Sequence, residues 1–122
     1  CEIFLIYPQG NFISASAETP YLQIGESKYG KPILDRIISS DLSLSDAARC
    51  AVISLDSTMR SNVSVGPPLE LALHKQGVFQ APEHLVLEGN SADYQSLQAY
   101  WNEGMKSAFN QLPKLDWDKY DL

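Results

Sequence analysis

Residues Ile3-Phe4-Leu5-Ile6-Tyr7 form an unbroken apolar run, and Phe12-Ile13-Ser14-Ala15-Ser16 resumes the theme four residues after it ends. Between them, Pro8-Gln9-Gly10-Asn11 is turn chemistry: proline presets φ early, and Gly or Asn accepts a positive φ later. The two runs predict a β-hairpin. A strand with one wet face alternates apolar with polar residues, whereas the first run is apolar on both sides and calls for neighbours on both faces. The chain opens directly in that strand with no preceding loop or cap, so we expect it to be part of a longer protein. Tyr21-Leu22-Gln23-Ile24 predicts a further short extended segment leading into Gly25-Glu26-Ser27.

Helical spacing takes over next. Tyr29, Ile33 and Ile37 recur at i, i+4 and i+8, with Leu34 and Ile38 widening the apolar face. Either Ser27 caps this helix or it starts nearer Lys31, because Pro32 is harmless only close to the first turn. The second helix has sharper signals. Ser43 is a good N-cap with Asp46 three residues on, and Leu44, Ala47, Ala48, Ala51, Val52, Leu55 and Met59 make one stripe. The three alanines allow close packing, while Arg49 and Arg60 fall off the stripe and reach solvent or a neighbour.

Beyond Gly66-Pro67-Pro68, the alternation of Leu69, Leu71 and Leu73 with Glu70, Ala72 and His74 predicts a strand with one covered face. His84-Leu85-Val86-Leu87 is its partner. Asn90 or Ser91 then caps a last helix in which Tyr94, Leu97, Trp101, Met105 and Ala108 recur at helical spacing, with Gly104 as a weak point. The order β-β-α-α-β-β-α, with hairpins flanking two consecutive helices, is that of an α+β layered fold with antiparallel strands. We therefore expect one domain over residues 1–110. Residues 111–122, with Pro113, Leu115, Trp117, Tyr120 and three aspartates, read as an extended C-terminal arm lying on the surface or on another subunit.

Composition narrows the function. At 122 residues, 44% hydrophobic and 20% charged, the chain is globular with a modest core. A net charge of −6 with no basic cluster repels phosphate backbones and anionic bilayers, which argues against nucleic acid and membrane partners. The longest apolar run is far below the about 20 residues that span a bilayer. Two cysteines, Cys1 and Cys50, are too few for a disulfide scaffold, so a reducing, cytoplasmic setting is expected.

Few residues advertise chemistry by themselves. His74 and His84 lack companions at ligand spacing and read as strand-edge surface residues, so no metal is expected. Gly25-Glu26-Ser27-Lys28-Tyr29-Gly30 lacks the spacing of a phosphate-binding loop, and no nucleotide or other cofactor is expected. Tyr94, Tyr100 and Trp101 sit at helical spacing in an acidic chain, which favours core or subunit packing over base stacking. The aspartates of the tail read as a solvated stretch.

Three longer runs carry a resemblance: Ile6-Tyr7-Pro8-Gln9-Gly10-Asn11-Phe12-Ile13; Thr19-Pro20-Tyr21-Leu22-Gln23-Ile24-Gly25-Glu26-Ser27-Lys28-Tyr29-Gly30-Lys31-Pro32-Ile33-Leu34-Asp35-Arg36; and Asp56-Ser57-Thr58-Met59-Arg60-Ser61-Asn62-Val63-Ser64-Val65-Gly66. Over residues 2 to 110 the chain resembles the C-terminal half of the bacterial proteasome-type peptidases called ancestral β-subunits (Anbu), N-terminal-nucleophile hydrolases. The resemblance implies the C-terminal half of a four-layer αββα fold, in which two antiparallel sheets lie between helical layers. It also implies amide-bond hydrolysis of peptide or protein substrates by a Thr, Ser or Cys at the mature N-terminus, whose α-amine acts as base. That nucleophile, with its lysine and aspartate, would lie outside this chain. What this half would contribute is polar support at the end of its second helix, together with scaffold and the contact surface of a homo-oligomer, at least a dimer. Arg36, Asp46 and Arg49 are candidates for those contacts.

Carried over residue by residue, the resemblance puts Ser61 where proteasome β-subunits typically hold an aspartate and Ser64 where they hold a supporting serine. Gly25 falls where many hold a serine, with Ser27 close by. For Ser61 and Ser64 the plain alternative is a helix-end or turn hydroxyl bonded to local backbone. The missing aspartate also opens the alternative of a non-catalytic assembly domain on a degenerate β-subunit frame. A third reading makes Cys1 itself an N-terminal nucleophile, its thiol and α-amine on one residue; the resemblance instead places Cys1 inside the domain, as a boundary without chemistry.

Overall fold

The computed structural model describes residues 2–120. In chain order it contains β1 (Phe4–Ile6), β2 (Phe12–Ser14), α1 (Lys31–Ile37), α2 (Leu44–Ser61), β3 (Leu69–Leu73), β4 (Glu83–Leu87), α3 (Ala92–Asn110) and a short 3-10 turn at Trp117–Tyr120. The order of strands and helices is the one that periodicity predicts. Strands β1 and β2 pair antiparallel, as do β3 and β4, in two separate two-stranded ladders.

The first hairpin turns where its sequence says it should. The Gly10 amide donates to the Tyr7 carbonyl at 2.9 Å, the Tyr7 amide to the Asn11 carbonyl at 2.8 Å, and Gly10 takes φ +88, a conformation without penalty only for a residue lacking Cβ. Phe4 and Phe12 meet edge-to-face across the pair with ring centroids 5.6 Å apart. Neither face is well covered: Ile6 is 71% exposed and Ile13, on the opposite face, 47%. The apolar run that calls for two covering layers has neither among the described residues.

Helix α1 begins at Lys31, with Pro32 in its first turn and Gly30 before it. Gly30 is buried against α2, where a Cβ would lie 2.2 Å from Ser54 Oγ and 3.1 Å from the Ser54 carbonyl oxygen. Tyr21 to Ile24 joins no ladder among the described residues. Polar contacts hold it to α1 instead. Lys31 Nζ donates to Asp35 at 2.9 Å and to the Tyr21 hydroxyl at 3.0 Å, and that hydroxyl donates to Asp35.

Helix α2 is the axis of the molecule, packing on α1, on α3 and on β3. Ser43 caps it by accepting from the Asp46 amide at 3.0 Å. The residues it buries are Cys50, Val52, Ile53, Ser54, Asp56 and Thr58, whereas Leu44 and Leu55 of the expected apolar stripe stay exposed. A helix packed on opposite sides buries more than one stripe, and its short polar residues turn inward wherever they find partners.

On the far side, Leu69 and Leu71 pair opposite Leu87 and Leu85, which places them on one face of the β3–β4 ladder. That face meets α2 and α3 in a core of Val52, Leu69, Leu87 and Tyr94, flanked by Met59, Leu71 and Leu97. The other face carries Glu70, Ala72, His84 and Val86, all exposed. Helix α3 is capped by Ser91, whose hydroxyl accepts from the Tyr94 amide at 3.2 Å. It runs beyond the core, so Met105 and Phe109 of its second half stay exposed. The residues expected to form an extended arm close in the 3-10 turn, with Leu112, Leu115 and Trp117 exposed. Cys1 and the last two residues of that arm lie outside the described residues.

The contact at Gly30 predicts that Gly30→Ala lowers stability by about 1–3 kcal/mol through overpacking against α2. Adding Ser54→Ala removes the nearer of the two clashing atoms and recovers part of that loss. Denaturant unfolding of the single and double variants checks both statements.

Candidate functional site

Ser61 is the last residue of α2, and Ser64 lies in the turn that follows. The helix ends there because Asn62 leaves helical geometry at φ −137 and ψ 107, its amide still donating to the Thr58 carbonyl at 2.9 Å. The Asn62 side chain then accepts from the Ser64 amide at 2.9 Å, and the Val65 amide donates to the Asn62 carbonyl at 3.1 Å. Asn62 therefore closes this turn with its own side chain and carbonyl. Both serines are exposed, and neither hydroxyl has a hydrogen-bond partner among the described residues. Local capping, the plain alternative, is done by Asn62 rather than by the serines.

Gly25 and Ser27 lie in the loop before α1. Gly25 is exposed at φ +75, and half-buried Ser27 accepts at its carbonyl from the Lys31 amide at 3.1 Å. Ile24 and Glu26 from this loop line one cleft together with Ser54, Leu55 and Thr58 of α2. The fold thus lays the Gly25–Ser27 loop beside the last turns of α2, one turn short of Ser61. It joins the two pairs of residues by neighbourhood and not by a bond among the described residues.

What holds that helix end is Asp56, 1% exposed and the most deeply buried side chain described. Its Oδ1 accepts from the Tyr94 hydroxyl at 2.8 Å and from Gln98 Nε2 at 2.7 Å, both on α3. Its Oδ2 meets Arg60 Nε at 3.4 Å, one turn along α2. Burial first, and then the hydrogen bond to Asp56, push the Tyr94 hydroxyl up to about 12. Asp56 lies one to two turns before Ser61 on α2 and is no substitute for an aspartate there, since its oxygens are committed to α3 and Arg60. Its signals were the i, i+4 pairing with Arg60 and two polar residues, Tyr94 and Gln98, four apart on α3.

Other candidates sit apart. His84 is exposed with Nε2 3.7 Å from Glu70 Oε2, and His74 is exposed after β3. Among the described residues, no group of three or more His, Cys, Asp or Glu side chains could hold a metal ion, and no helix is long and apolar enough to cross a membrane. Cys50 is buried, its thiol pushed up by desolvation. Arg49 pairs with Asp46 at 2.6 Å on the exposed side of α2, and Arg36 donates to the Pro32 carbonyl at 2.7 Å. The site therefore offers exposed hydroxyls on a firmly held helix end, which can accept or donate hydrogen bonds but hold no nucleophile–base pair of their own.

Asp56 generates two predictions. Asp56→Ala leaves the Tyr94 hydroxyl and the Gln98 amide without their acceptor and costs about 2–4 kcal/mol, while Tyr94→Phe costs about 1–2. Because Tyr94 holds its proton to about 12 in the fold, against 10.0 for the free side chain, its contribution is complete below pH 10 and is lost as pH rises toward 12. Stability measured across that alkaline range falls in the wild type and falls less in Tyr94→Phe.

The chain matches no protein-family model and no curated protein. Among solved structures it is similar to Anbu, the ancestral β-subunit, from Yersinia bercovieri, with 48% identity and a TM-score of 0.88 over 94% of this chain and 48% of that one. Anbu from Hyphomicrobium sp. strain MC1 is 41% identical, with a TM-score of 0.89 over 94% of this chain and 50% of its own. The Anbu complex of Pseudomonas aeruginosa, solved as a helical assembly, is 45% identical with a TM-score of 0.87, covering 93% of this chain and 47% of that one. The chain spans about half the length of these relatives.

Proposed function

The chain belongs to the ancestral β-subunit (Anbu) family of proteasome-like proteins, and from that premise we propose that it is the C-terminal half of a proteasome-type peptidase subunit. In this reading the parent protein hydrolyses peptide bonds through an N-terminal nucleophile that lies outside these residues. This half supplies scaffold, the polar turn of Ser61 and Ser64, and surface for assembly with further copies in the cytoplasm. By itself it is inactive. The observation that carries the reading is the close match in fold and sequence over nearly the whole of this chain and only half of each relative.

The bare hairpin supports it. Ile6, Phe12 and Ile13 expose a nonpolar surface on both sides of β1 and β2, as expected of strands whose covering layers belong to another part of the molecule. The uncovered face of β3–β4, with Ala72 and Val86, fits the same picture of a half whose sheets pack elsewhere.

Within this reading, Ser61 and Ser64 orient the α-amine of the nucleophile through their hydroxyls, with Ser61 replacing the carboxylate of typical β-subunits. A neutral hydroxyl orients an amine but does not hold its positive charge, so it gives weaker electrostatic support. That substitution favours a second reading, a β-subunit frame retained for assembly after hydrolysis was lost. Gly25 and Ser27 line the approach to the same helix end in either case.

N-terminal sequencing and intact mass of the protein made in its native host separate the readings. A longer chain opening with Thr, Ser or Cys, followed by an aspartate and a lysine in its own half, is the expected result. A longer chain lacking one of these supports the assembly frame. A native chain that opens at Cys1 overturns the peptidase reading and directs attention to its thiol as a nucleophile or to a self-contained assembly module.

A further inference from the structure

The chain between α2 and β3 is anchored at both ends and bare in the middle. Behind it, the Asp56 bonds hold α2 to α3. Ahead of it, Leu69 is buried in the core, and Pro67 lies so close to Gly89 that a Cβ there would stand 2.9 Å from Pro67 Cγ. Packing does not hold the turn over residues 62–65 that separates these anchors, since Val63 and Ser64 are exposed, Val63 completely so. Its hydrogen bonds among the described residues all involve Asn62. The Asn62 amide donates to the Thr58 carbonyl, the Asn62 carbonyl accepts from the Val65 amide, and Asn62 Oδ1 accepts from the Ser64 amide.

We propose that Asn62 is the positioning residue of this turn, fixing Ser64 relative to Ser61 so that the Ser64 hydroxyl stands where the α-amine of the nucleophile meets it. The inference rests on the reading of the chain as half of a peptidase subunit. Asn62 acts through Ser64 and makes no contact of its own with the amine, because its acceptor oxygen is engaged by the Ser64 amide.

The chemistry of the three bonds singles out the side chain. Two of them use backbone groups that nearly any residue supplies. The third needs a short side chain that offers an acceptor to the amide two residues on, which Asn and Asp do well and Ser more weakly. A serine hydroxyl that lacks a partner turns among its rotamers, so the place of its oxygen is set by the backbone beneath it. Both hydroxyls here lack a partner among the described residues, and Asn62 is what constrains the backbone under Ser64. A turn already ordered loses less freedom when the amine arrives, and the contact gains by that difference.

The test is the pH dependence with which acetic anhydride acetylates the N-terminal α-amine of the protein at its native length, which reads the pKa of that amine. A hydroxyl oxygen cannot neutralise an ammonium but bonds it more strongly than the free amine, so Ser64→Ala should lower this pKa by roughly 0.5. Asn62→Ala should reproduce most of that fall, Asn62→Ser should restore part of it, and Asn62→Ala should add nothing to Ser64→Ala, as for residues that act as one unit. Asn62→Gly takes the place of Asn62→Ala should the latter fail to fold. Ser43→Ala, which removes the cap at the opposite end of α2, separates positioning from mere stability: it lowers the melting temperature and leaves the amine unchanged. A wild-type pKa in Asn62→Ala beside a lowered one in Ser64→Ala, or falls that add in the double variant, overturn the proposal and leave the peptidase reading standing. An amine that responds to neither Ser61→Ala nor Ser64→Ala overturns the role given to the turn in that reading, and the proposal with it.

Discussion

A carboxylate that is 1% exposed is stable only when its charge is met on every side, and Asp56 meets that demand with groups from two helices. Tyr94 and Gln98 reach it from α3, and Arg60 from the next turn of α2. These bonds set the rotation and height of α3 against α2, which an apolar contact alone leaves loose. The core of Val52, Leu69, Leu87 and Tyr94 is built around the same point, for Tyr94 supplies both its ring to that core and its hydroxyl to Asp56. The turn of Ser61 and Ser64 begins five residues past the clamp. Its position is inherited from it.

The distribution of order follows. Helix α2 is enclosed by α1, α3 and β3, while the β1–β2 hairpin has its aromatic pair and its ladder but little else to pack against. A body with one well-knit region and large bare apolar faces at its margins is suited to be completed by other chain segments and by other copies. Under the proposal that this chain is the C-terminal half of an Anbu-type subunit, those bare margins are where the other half and further copies pack.

Much of the architecture was legible because its signals are local. Turn residues Pro8 to Asn11, the Ser43 and Ser91 caps, and the period-two run from Leu69 to Leu73 each announce an element in a few residues. The buried set of α2 was not legible. Periodicity assigns a helix one apolar stripe, yet α2 also buries Ser54 against Gly30, Asp56 because Tyr94 and Gln98 of α3 donate to it, and Thr58 because its Oγ1 donates to the Ser54 carbonyl at 3.0 Å. Asp56 is 38 and 42 residues from Tyr94 and Gln98, so no window along the chain contains the interaction. The resemblance located Ser61 and Ser64 on one turn, but only the structure reveals that Asn62, not either serine, closes it.

Native-state hydrogen exchange of the 122-residue chain tests most directly whether the Asp56 clamp organises the fold. The slowest amides should be those of α2 around residues 50 to 58 and of α3 around 94 to 98, opening together as one unit, with those of β1 and β2 exchanging orders of magnitude faster. Protection as strong in the β1–β2 hairpin as in α2, or α3 opening independently of α2, would contradict it.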